Sequence, residues 1–414
     1  MSAPQLMSLP VGTGIFFSKI GTIPKKCNFV FFIQMNWLLL PPPGWAWLFF
    51  GLFALLALIQ LFYYWRYFRL AAFYRTRQKP GFSGPVSVVI CARNEYHNLE
   101  KNLPLILGQD YPDFEVLVVD DGSDDDSDQL LQGLQSAYPQ LKVVSLRENV
   151  NFFKGKKLAL SVGIKSARHD HVLLTDADCR PAGPHWITRM ADNFGEEVRL
   201  VLGYGAYEAR PGMLNQMIRF DTFFIALQYF GFALGGKPYM GVGRNLAYHR
   251  GLFYSVKGFT SHYKVMSGDD DLFVNQVARP GNFGVEMHPH SHTISAPKAS
   301  FRSWFRQKRR HMSTGKYYRG SHKRRLGIFH ASQLLFYPLL ATALATGWNS
   351  LAGLIVIGLF LIRLGSVCLV FSRFARKLGE NKILQFSLLW DLLHPFFNFI
   401  FVFSNLMGNT KRWQ

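Results

Sequence analysis

Long apolar runs near both ends of the chain limit its fold more than any other feature. Residues 45–64 carry no charge and are long enough to cross the hydrocarbon core of a bilayer. Basic residues follow at once, from Arg66 to Lys79, and this excess of positive charge predicts that this end of the span lies in the cytoplasm. No small-residue cleavage site follows the run, so we expect a retained span rather than a signal peptide.

Three more runs of membrane-spanning length lie near the C-terminus, over residues 328–346, 351–370 and 383–403. The cationic loop 373–382 is predicted to lie in the cytoplasm. We therefore expect about three spans here. A further apolar stretch, 211–236, is interpreted as an interfacial or core helix, because one more crossing would place the basic segment that follows it outside.

Charged side chains interrupt the C-terminal runs at Arg363, Asp391 and His394. Ionisable groups inside a membrane segment are costly and often functional. Two structural explanations are alternatives to a function. The Arg363 side chain could extend to the membrane interface, and Asp391 and His394 could pair with each other.

The net charge of +20 narrows the classes of partner. A basic excess beside apolar spans favours an anionic membrane surface, whereas nucleic-acid binding would need a basic face interleaved with base-stacking aromatics. The four cysteines are scattered without a CxxC pair, so we expect neither a disulfide framework nor a zinc site. A start of the native protein at Met35 is one hypothesis for the N-terminal segment 1–43.

Between the apolar runs, short β-branched segments alternate with helical ones. Apolar strands alternating with helices indicate an α/β fold with a mostly parallel sheet covered on both faces. In such sheets ligands bind beyond the carboxyl ends of the strands. The pattern predicts strands over 86–91, 115–119, 141–146, 171–175 and 199–202, and helices over 97–107 (interrupted by Pro104), 126–137 and 155–167.

Acidic motifs follow two of the predicted strands. The motif DDGS at residues 120–123 is as well explained by a solvated turn and helix N-cap as by a binding site. Asp176 and Asp178 are a stronger indication of a binding site, because two carboxylates two residues apart on an extended segment point to the same side. Such oxygen ligands suit Mg²⁺ or Mn²⁺, which bridge substrate phosphates, so the pair predicts a metal-diphosphate site.

Three further charged motifs each allow two interpretations. KGKK at 154–157 opens a predicted helix, where its cations meet either a phosphate or solvent. GDDD at 268–271 is either a helix N-cap or a source of a general base. QKRRH at 307–311 lies in a basic stretch expected to rest mostly on anionic lipid, with one or two arginines left to clamp a diphosphate.

Taken in this order, the motifs resemble the family 2 inverting glycosyltransferases of the GT-A fold. Similar membrane members are the cellulose, chitin and hyaluronan synthases and their non-processive relatives. The resemblance covers residues 86–403 and rests on DDGS, DAD, GDDD and QKRRH together with VVICARNE at 88–95, Gly155-Lys156 and GRNLA at 243–247.

The resemblance implies roles for the residues that match. It implies that the metal, Mg²⁺ or Mn²⁺, binds Asp178 with Asp176. It also implies donor binding by Ala92, Asn94, Glu95, Asp120, Asp121, Lys156, Asp176, Gln307 and Arg310.

On the acceptor side, the resemblance implies that Asp270 is the catalytic base with Asp269 beside it. A third carboxylate, Asp271, leaves this register open by one residue. Asn245 and His311 would face the acceptor. His311 stands where polymer synthases have a tryptophan that stacks on the acceptor sugar, and its smaller ring predicts limited transfer rather than processive polymerisation.

We therefore expect an inverting glycosyltransferase that uses a nucleotide-sugar donor and a lipid-linked or membrane-proximal glycan acceptor, in contact with membrane lipids and not with nucleic acid. The alternatives are a processive polysaccharide synthase and a non-catalytic membrane scaffold or export subunit. The predicted location is a bacterial inner membrane, with the catalytic domain cytoplasmic. The predicted organisation is an N-terminal segment (1–43), a transmembrane helix (44–65), a GT-A catalytic domain (66–300), a basic interfacial segment (301–327), transmembrane helices (328–403) and a tail (404–414).

Overall fold

The computed structural model describes residues 43–75, 81–146 and 156–407. The hypothesis of a start at Met35, the first two residues of the KGKK motif (154 and 155), and most of the predicted tail lie outside the described residues.

Within the described ranges, ten strands form two sheets. The larger sheet has the order β3-β2-β1-β4-β8-β6-β9, and the smaller one the order β5-β10-β7. The strands are β1 (Val86–Ala92), β2 (Phe114–Asp120), β3 (Leu141–Ser145), β4 (His171–Asp176), β5 (Cys179–Pro181), β6 (Leu200–Leu202), β7 (Gly205–Tyr207), β8 (Leu246–His249), β9 (Phe283–Val285) and β10 (Thr293–Ser295). In the larger sheet β8 runs antiparallel to β4 and β6, and the other pairs are parallel. The predicted α/β fold with a mostly parallel sheet is confirmed.

Helices cover both faces of the larger sheet and continue beyond it. Short 3₁₀ turns, including Gly243–Asn245 and Gly315–Tyr317, lie between several of the strands and helices. The helices are α1 (Ala46–Ala72), α2 (Tyr96–Leu107), α3 (Ser127–Ala137), α4 (Lys157–Ser166), α5 (Trp186–Ala191), α6 (Met213–Leu234), α7 (Gly251–Ser255), α8 (Asp271–Val277), α9 (Phe301–Met312), α10 (Gly320–Gly347), α11 (Leu351–Leu378) and α12 (Ser387–Met407).

The alternation of side chains along β1 feeds two separate cores. Val88 and Ile90 pack into the core that also contains residues of α2 and α5, whereas Val89 packs into the core on the α4 and α6 side. Helix α4 lies close to the sheet because Gly163 has no side chain; a Cβ there would come within 2.5 Å of Val89 Cγ1. The sheet is therefore covered on both faces, as its apolar strands predict.

The predicted interruption of the second helix is wrong. Helix α2 runs through Pro104 to Leu107. Proline removes one backbone hydrogen bond, but the neighbouring Leu103 and Ile106 are each 1% exposed. Burial of this apolar face outweighs the missing bond.

Five helices of the described part of the chain are long and apolar enough to cross a membrane: α1, α6, α10, α11 and α12. Helix α6 differs from the others, because 83% of its most apolar window is buried within the protein, compared with 28–33% for the other four. This agrees with the interpretation of the stretch 211–236 as a core helix. The remaining helices match the expected arrangement of one N-terminal and three C-terminal apolar helices.

The intramembrane charges pair differently from the prediction. Arg363 is 1% exposed and does not reach an interface; it binds Asp391 through both guanidinium amino groups and Gln60 through Nε at 2.8 Å. His394 does not pair with Asp391 but bonds Asp221 of α6 at 3.0 Å. Because α6 lies among these helices, it supplies a buried partner that sequence distance concealed.

Candidate active site

The carboxyl ends of three parallel strands bring the predicted donor residues to one edge of the sheet. Ala92 at the end of β1 is in register with Asp120 on β2, and Cys91 is in register with Asp176 on β4. Pairing with β1 on either side thus brings Asp120 and Asp176, which are 56 positions apart in the sequence, to the same edge of the sheet. This edge is where this type of sheet binds ligands.

The turn after β2 fixes one aspartate and leaves the next one accessible. Asp120 is 6% exposed, and its Oδ1 accepts hydrogen bonds from the backbone N–H and hydroxyl of Ser123. Gly122, at φ +68°, permits the turn. Burial raises the pKa of Asp121, opposed by Arg93. Asp120 therefore stabilises the turn through these hydrogen bonds, and Asp121 lies half-exposed beside it.

Asn94 ties the loop after β1 to the loop after β2. Its backbone N–H donates to Ser123 Oγ at 2.9 Å, and its side-chain oxygen accepts from the N–H of Asp124 at 2.8 Å. The residue has φ 56°, a conformation that asparagine tolerates better than most side chains. A cleft of about 290 Å³ opens here, lined by Asn94, Glu95, Tyr96, His97, Asn98, Asp125 and Asp126.

Asp176 and Asp178 form a site suited to a hard cation. One ligand atom from each of Asp176, Asp178 and Cys179 lies within 4.8 Å of the others. Burial raises the pKa of Asp178, and the neighbouring Asp176 raises it further. A cation between the two carboxylates would offset their negative charge, so the oxygen donors fit Mg²⁺ or Mn²⁺. The Cys179 thiol is buried against Ser295 Oγ at 3.0 Å.

Lys156 connects this pair with the second acidic motif. Its ammonium lies 2.7 Å from Asp176 and 3.2 Å from Asp269. Burial would lower the pKa of Lys156, but the two carboxylates raise it well above its usual value. The predicted donor and acceptor sides of the site thus share one positive charge.

The next residue, Lys157, also belongs to the KGKK motif, and the prediction that its cation meets a phosphate or solvent is wrong for this residue. It is 1% exposed, and its ammonium donates to the carbonyls of His262, Val265 and Ser267. It thereby holds the segment that leads into the second acidic motif.

The three carboxylates of that motif have different surroundings. Asp269 binds Lys156, and Asp271 accepts from the hydroxyls of Thr314 and Tyr318. Asp270 instead accepts two backbone N–H groups, from Gly243 and from Asp271, each at 2.7 Å.

These different surroundings shift the pKa values of Asp269 and Asp270 in opposite directions. Burial would raise the pKa of Asp269, but Lys156 outweighs it and holds that pKa below its usual range. For Asp270, burial and the adjacent carboxylates of Asp269 and Asp271 raise the pKa to about 7, although Lys156 opposes them. A carboxylate with a pKa near neutrality is suited to take up and release a proton.

The basic motif on α9 divides between the protein interior and the cleft. Lys308 is buried against Asp221, and Arg309 donates to the carbonyl of Ser404 at 2.8 Å. The expectation that most of these cations rest on lipid is therefore wrong for Lys308 and Arg309.

The remaining residues of the motif stay near the cleft. Gln307 donates to the hydroxyl of Tyr207 at 3.4 Å, and Arg310 contacts His311 at 3.2 Å. Desolvation by the surrounding protein lowers the pKa of the His311 imidazole, and the nearby cations Arg310, Lys308 and Arg244 lower it further. His311 is therefore neutral at physiological pH.

The structure contradicts the acceptor-side position predicted for Asn245. This side chain is 0% exposed, donates to the carbonyls of Tyr204 and Ser291, and accepts from Trp186 Nε1. The Asn245 amide therefore links separate segments of the core. Gly203 leaves the space for this amide, since a Cβ at residue 203 would come within 2.5 Å of Asn245 Cγ.

The preceding residue, Arg244, lies at the cleft, and sequence reasoning missed it. Its guanidinium donates to the Gly205 carbonyl at 2.6 Å and lies 4.3 Å from the centre of the Tyr207 ring. It is close enough to Asp178 to offset part of the rise in the pKa of that carboxyl. A signal was present in the sequence, since an arginine beside a glycine was part of the motif at 243–247.

Comparison with protein families agrees with this geometry. Residues 87–256 match the family model described as Glycosyl transferase family 2. The matched segment includes β1 to β8 and, within it, Asp120, Asp176 and Arg244. The acidic motif of α8 and the basic motif of α9 lie outside it.

Two curated relatives illustrate the range of similar proteins. Glycosyltransferase AglE of Haloferax volcanii is 33% identical over 141 residues, which cover 33% of this chain and 44% of the archaeal protein. Poly-beta-1,6-N-acetyl-D-glucosamine synthase of Staphylococcus aureus is 29% identical over 133 residues, covering 32% and 29% of the two chains. The chain thus matches less than half the length of either relative.

Among solved structures, the mannosyltransferase PcManGT of Pyrobaculum calidifontis, described in complex with GDP-Man and Mn²⁺, has a similar fold. Its TM-score is 0.54 at 20% identity, over 84% of this chain and 99% of that one. The likeness shows the GT-A fold.

Proposed function

We propose that this chain, which carries a glycosyl transferase family 2 domain with the GT-A fold, is an inverting glycosyltransferase. It transfers a sugar from a nucleoside-diphosphate donor to a hydroxyl of a lipid-linked or membrane-proximal glycan acceptor. Asp270 is the general base, and the site formed by Asp176 and Asp178 receives the metal-bound diphosphate.

The observation that carries this proposal is the difference between the surroundings of Asp270 and those of the two carboxylates beside it. Its neighbours are engaged by side chains, Asp269 by Lys156 and Asp271 by Thr314. Asp270 accepts backbone N–H groups that orient it without supplying a counter-charge, and its pKa of about 7 leaves it able to accept a proton. Deprotonation of the acceptor hydroxyl by Asp270, followed by one displacement at the sugar carbon, inverts the configuration.

The donor side has the charges that a leaving diphosphate requires. Asp176 and Asp178 would hold Mg²⁺ or Mn²⁺, which when bound neutralises negative charge on the diphosphate. Arg310 adds a planar guanidinium suited to phosphate oxygens, and Arg244 adds a second one beside Asp178. Asn94 and Asp121, which follow β1 and β2, are proposed to contact the nucleoside.

The acceptor is proposed to be bound at the membrane. Four apolar helices other than α6 expose most of their apolar windows, as membrane-spanning helices do. Arg66 and Arg69 follow the first of these windows, and Arg373 and Arg376 lie at the end of α11, so we propose that the catalytic domain faces the cytoplasm. His311, in place of a stacking tryptophan, favours limited transfer.

A panel of UDP- and GDP-linked hexoses and N-acetylhexosamines, assayed with purified protein and Mg²⁺ or Mn²⁺, tests the proposed activity. We expect turnover of at least one donor and its loss in Asp270→Asn. No turnover of any donor in the presence of a membrane extract would contradict the proposal. A cellular function retained by an Asp270→Asn protein that lacks transfer would instead favour a scaffold.

Product length separates limited transfer from the processive alternative. With a radiolabelled donor we expect products extended by one or a few sugars. Long polymers would contradict the role given to His311 and would favour a polysaccharide synthase.

A further inference from the structure

Helix α9 carries the cleft residues Gln307, Arg310 and His311 on one side and is attached to the membrane helices on another. Trp304 packs against Phe401 of α12, with ring centres 5.2 Å apart. The attachment continues at the end of α12, where Arg309 donates to the Ser404 carbonyl.

A buried charged cluster lies at the centre of this attachment. The Lys308 ammonium lies 2.6 Å from both carboxylate oxygens of Asp221 on α6. His394 of α12 contacts Asp221 Oδ1 at 3.0 Å, and Asn398 contacts His394 at 3.2 Å. Lys308, Asp221 and His394 are 7%, 5% and 6% exposed. Three helices, α6, α9 and α12, therefore meet at one buried carboxylate.

The cluster fixes the rotation of α9 about its own axis. Successive side chains on an α-helix are about 100° apart, so fixing the direction of Lys308 also fixes the directions of Gln307 and Arg310. A charged ammonium in a water-excluded site has few alternatives to its partner, because leaving either charge unpaired is strongly unfavourable. An apolar side chain at this position would tolerate a small rotation of the helix, whereas the ion pair does not.

We propose that Lys308, Asp221 and His394 are positioning residues that hold the diphosphate-binding side of the cleft in register with the membrane helices. The inference rests on the proposed function, since it assumes that Arg310 and Gln307 bind the donor diphosphate. The cluster acts through α9 and touches no substrate.

The test is the double variant Lys308→Met with Asp221→Leu, in the full-length protein. It removes both charges together, so that neither is left buried without its partner, and it fills the space with apolar side chains. Binding of UDP and of GDP with Mn²⁺ is measured by calorimetry, together with binding of Mn²⁺ alone and the thermal midpoint. We expect nucleoside-diphosphate binding at least about tenfold weaker and a corresponding rise in donor KM, with kcat changed less than about twofold and Mn²⁺ binding unchanged.

The matched control is Arg363→Met with Asp391→Leu, which removes another buried ion pair that does not contact α9. It should leave nucleoside-diphosphate binding unchanged. Unchanged binding in the Lys308→Met, Asp221→Leu variant would overturn the inference, as would an equal loss in the control. If the wild-type protein binds neither nucleotide, the proposed donor class and the inference both fail.

A second variant decides the matter if the double variant does not fold. His394→Gln retains the Lys308–Asp221 pair and a side-chain donor towards Asp221, but alters the link to α12. We expect a twofold to fivefold weaker nucleoside-diphosphate affinity with Mn²⁺ binding unchanged, and an affinity equal to that of the wild type would overturn the inference.

Discussion

The pH dependence of transfer follows from the surroundings of Asp270. Its pKa of about 7 means that the carboxylate, the form able to accept a proton, predominates above pH 7 and is lost as the pH falls through that value. We expect kcat/KM at pH 6 to be about tenfold lower than at pH 8, because about one molecule in eleven then carries the ionised base. Asp270→Asn should lower kcat by about 10²–10⁴-fold and remove this acidic limb.

The matched variant is Asp271→Asn, because Asp271 helps to raise the pKa of Asp270 but is itself engaged by Thr314 and Tyr318. Removing its negative charge should move the acidic limb to lower pH without abolishing turnover. The assay is initial-rate measurement of donor consumption between pH 5.5 and 8.5 at constant ionic strength and saturating Mn²⁺. A flat profile in the wild type, or an Asp270→Asn variant with at least half of the wild-type kcat, would refute the reasoning.

Three further predictions concern the charges around the cleft. Lys156→Met removes a cation that lowers the pKa of Asp270, so the acidic limb of kcat/KM should move up by about one pH unit; an unmoved limb would contradict the coupling. Asp178→Asn should weaken Mn²⁺ binding, followed by electron paramagnetic resonance, by about tenfold or more, and equal affinity would exclude this ligand. Gly205→Ala places a Cβ 2.2 Å from Arg244 Nε; displacement of that guanidinium should lower kcat/KM about tenfold, and a wild-type value would argue against a role in the cleft.

The strand-end position of Asp176 and Asp178 could be predicted because it depends on local patterns. A β-branched run marks the strand, and parallel sheets bind ligands at this edge. Asp178, however, lies in the turn between β4 and β5, so its closeness to Asp176 depends on that turn and not on the two-residue period of a strand. The core position of the stretch 211–236 was likewise open to prediction, since the charges that follow the apolar run restrict the number of crossings.

Pairing between distant helices could not be predicted in the same way. Asp221 and His394 are 173 positions apart, and nothing local distinguishes Asp221 from Asp391 as the partner of that histidine. The choice among Asp269, Asp270 and Asp271 had the same difficulty, because the groups that engage the outer two are Lys156 and the segment after α9.

The opposite directions of Arg244 and Asn245 depend on space left elsewhere. Gly205 leaves room for the guanidinium and Gly203 for the amide, some 40 positions earlier in the chain. Periodicity alone cannot show which of two adjacent polar residues faces the core. The error of predicting Asn245 as a residue of the cleft arose from this.

This alternation has a practical consequence for protein engineering. A library that randomised residues 243–247 as a block would consist largely of chains that do not fold, because Asn245, Leu246 and Ala247 are buried and a Cβ at Gly243 would come within 3.2 Å of Asp270. Codon 244 is the productive one to diversify, and screening its variants against alternative donors and acceptors samples the chemistry of the cleft while leaving the scaffold intact.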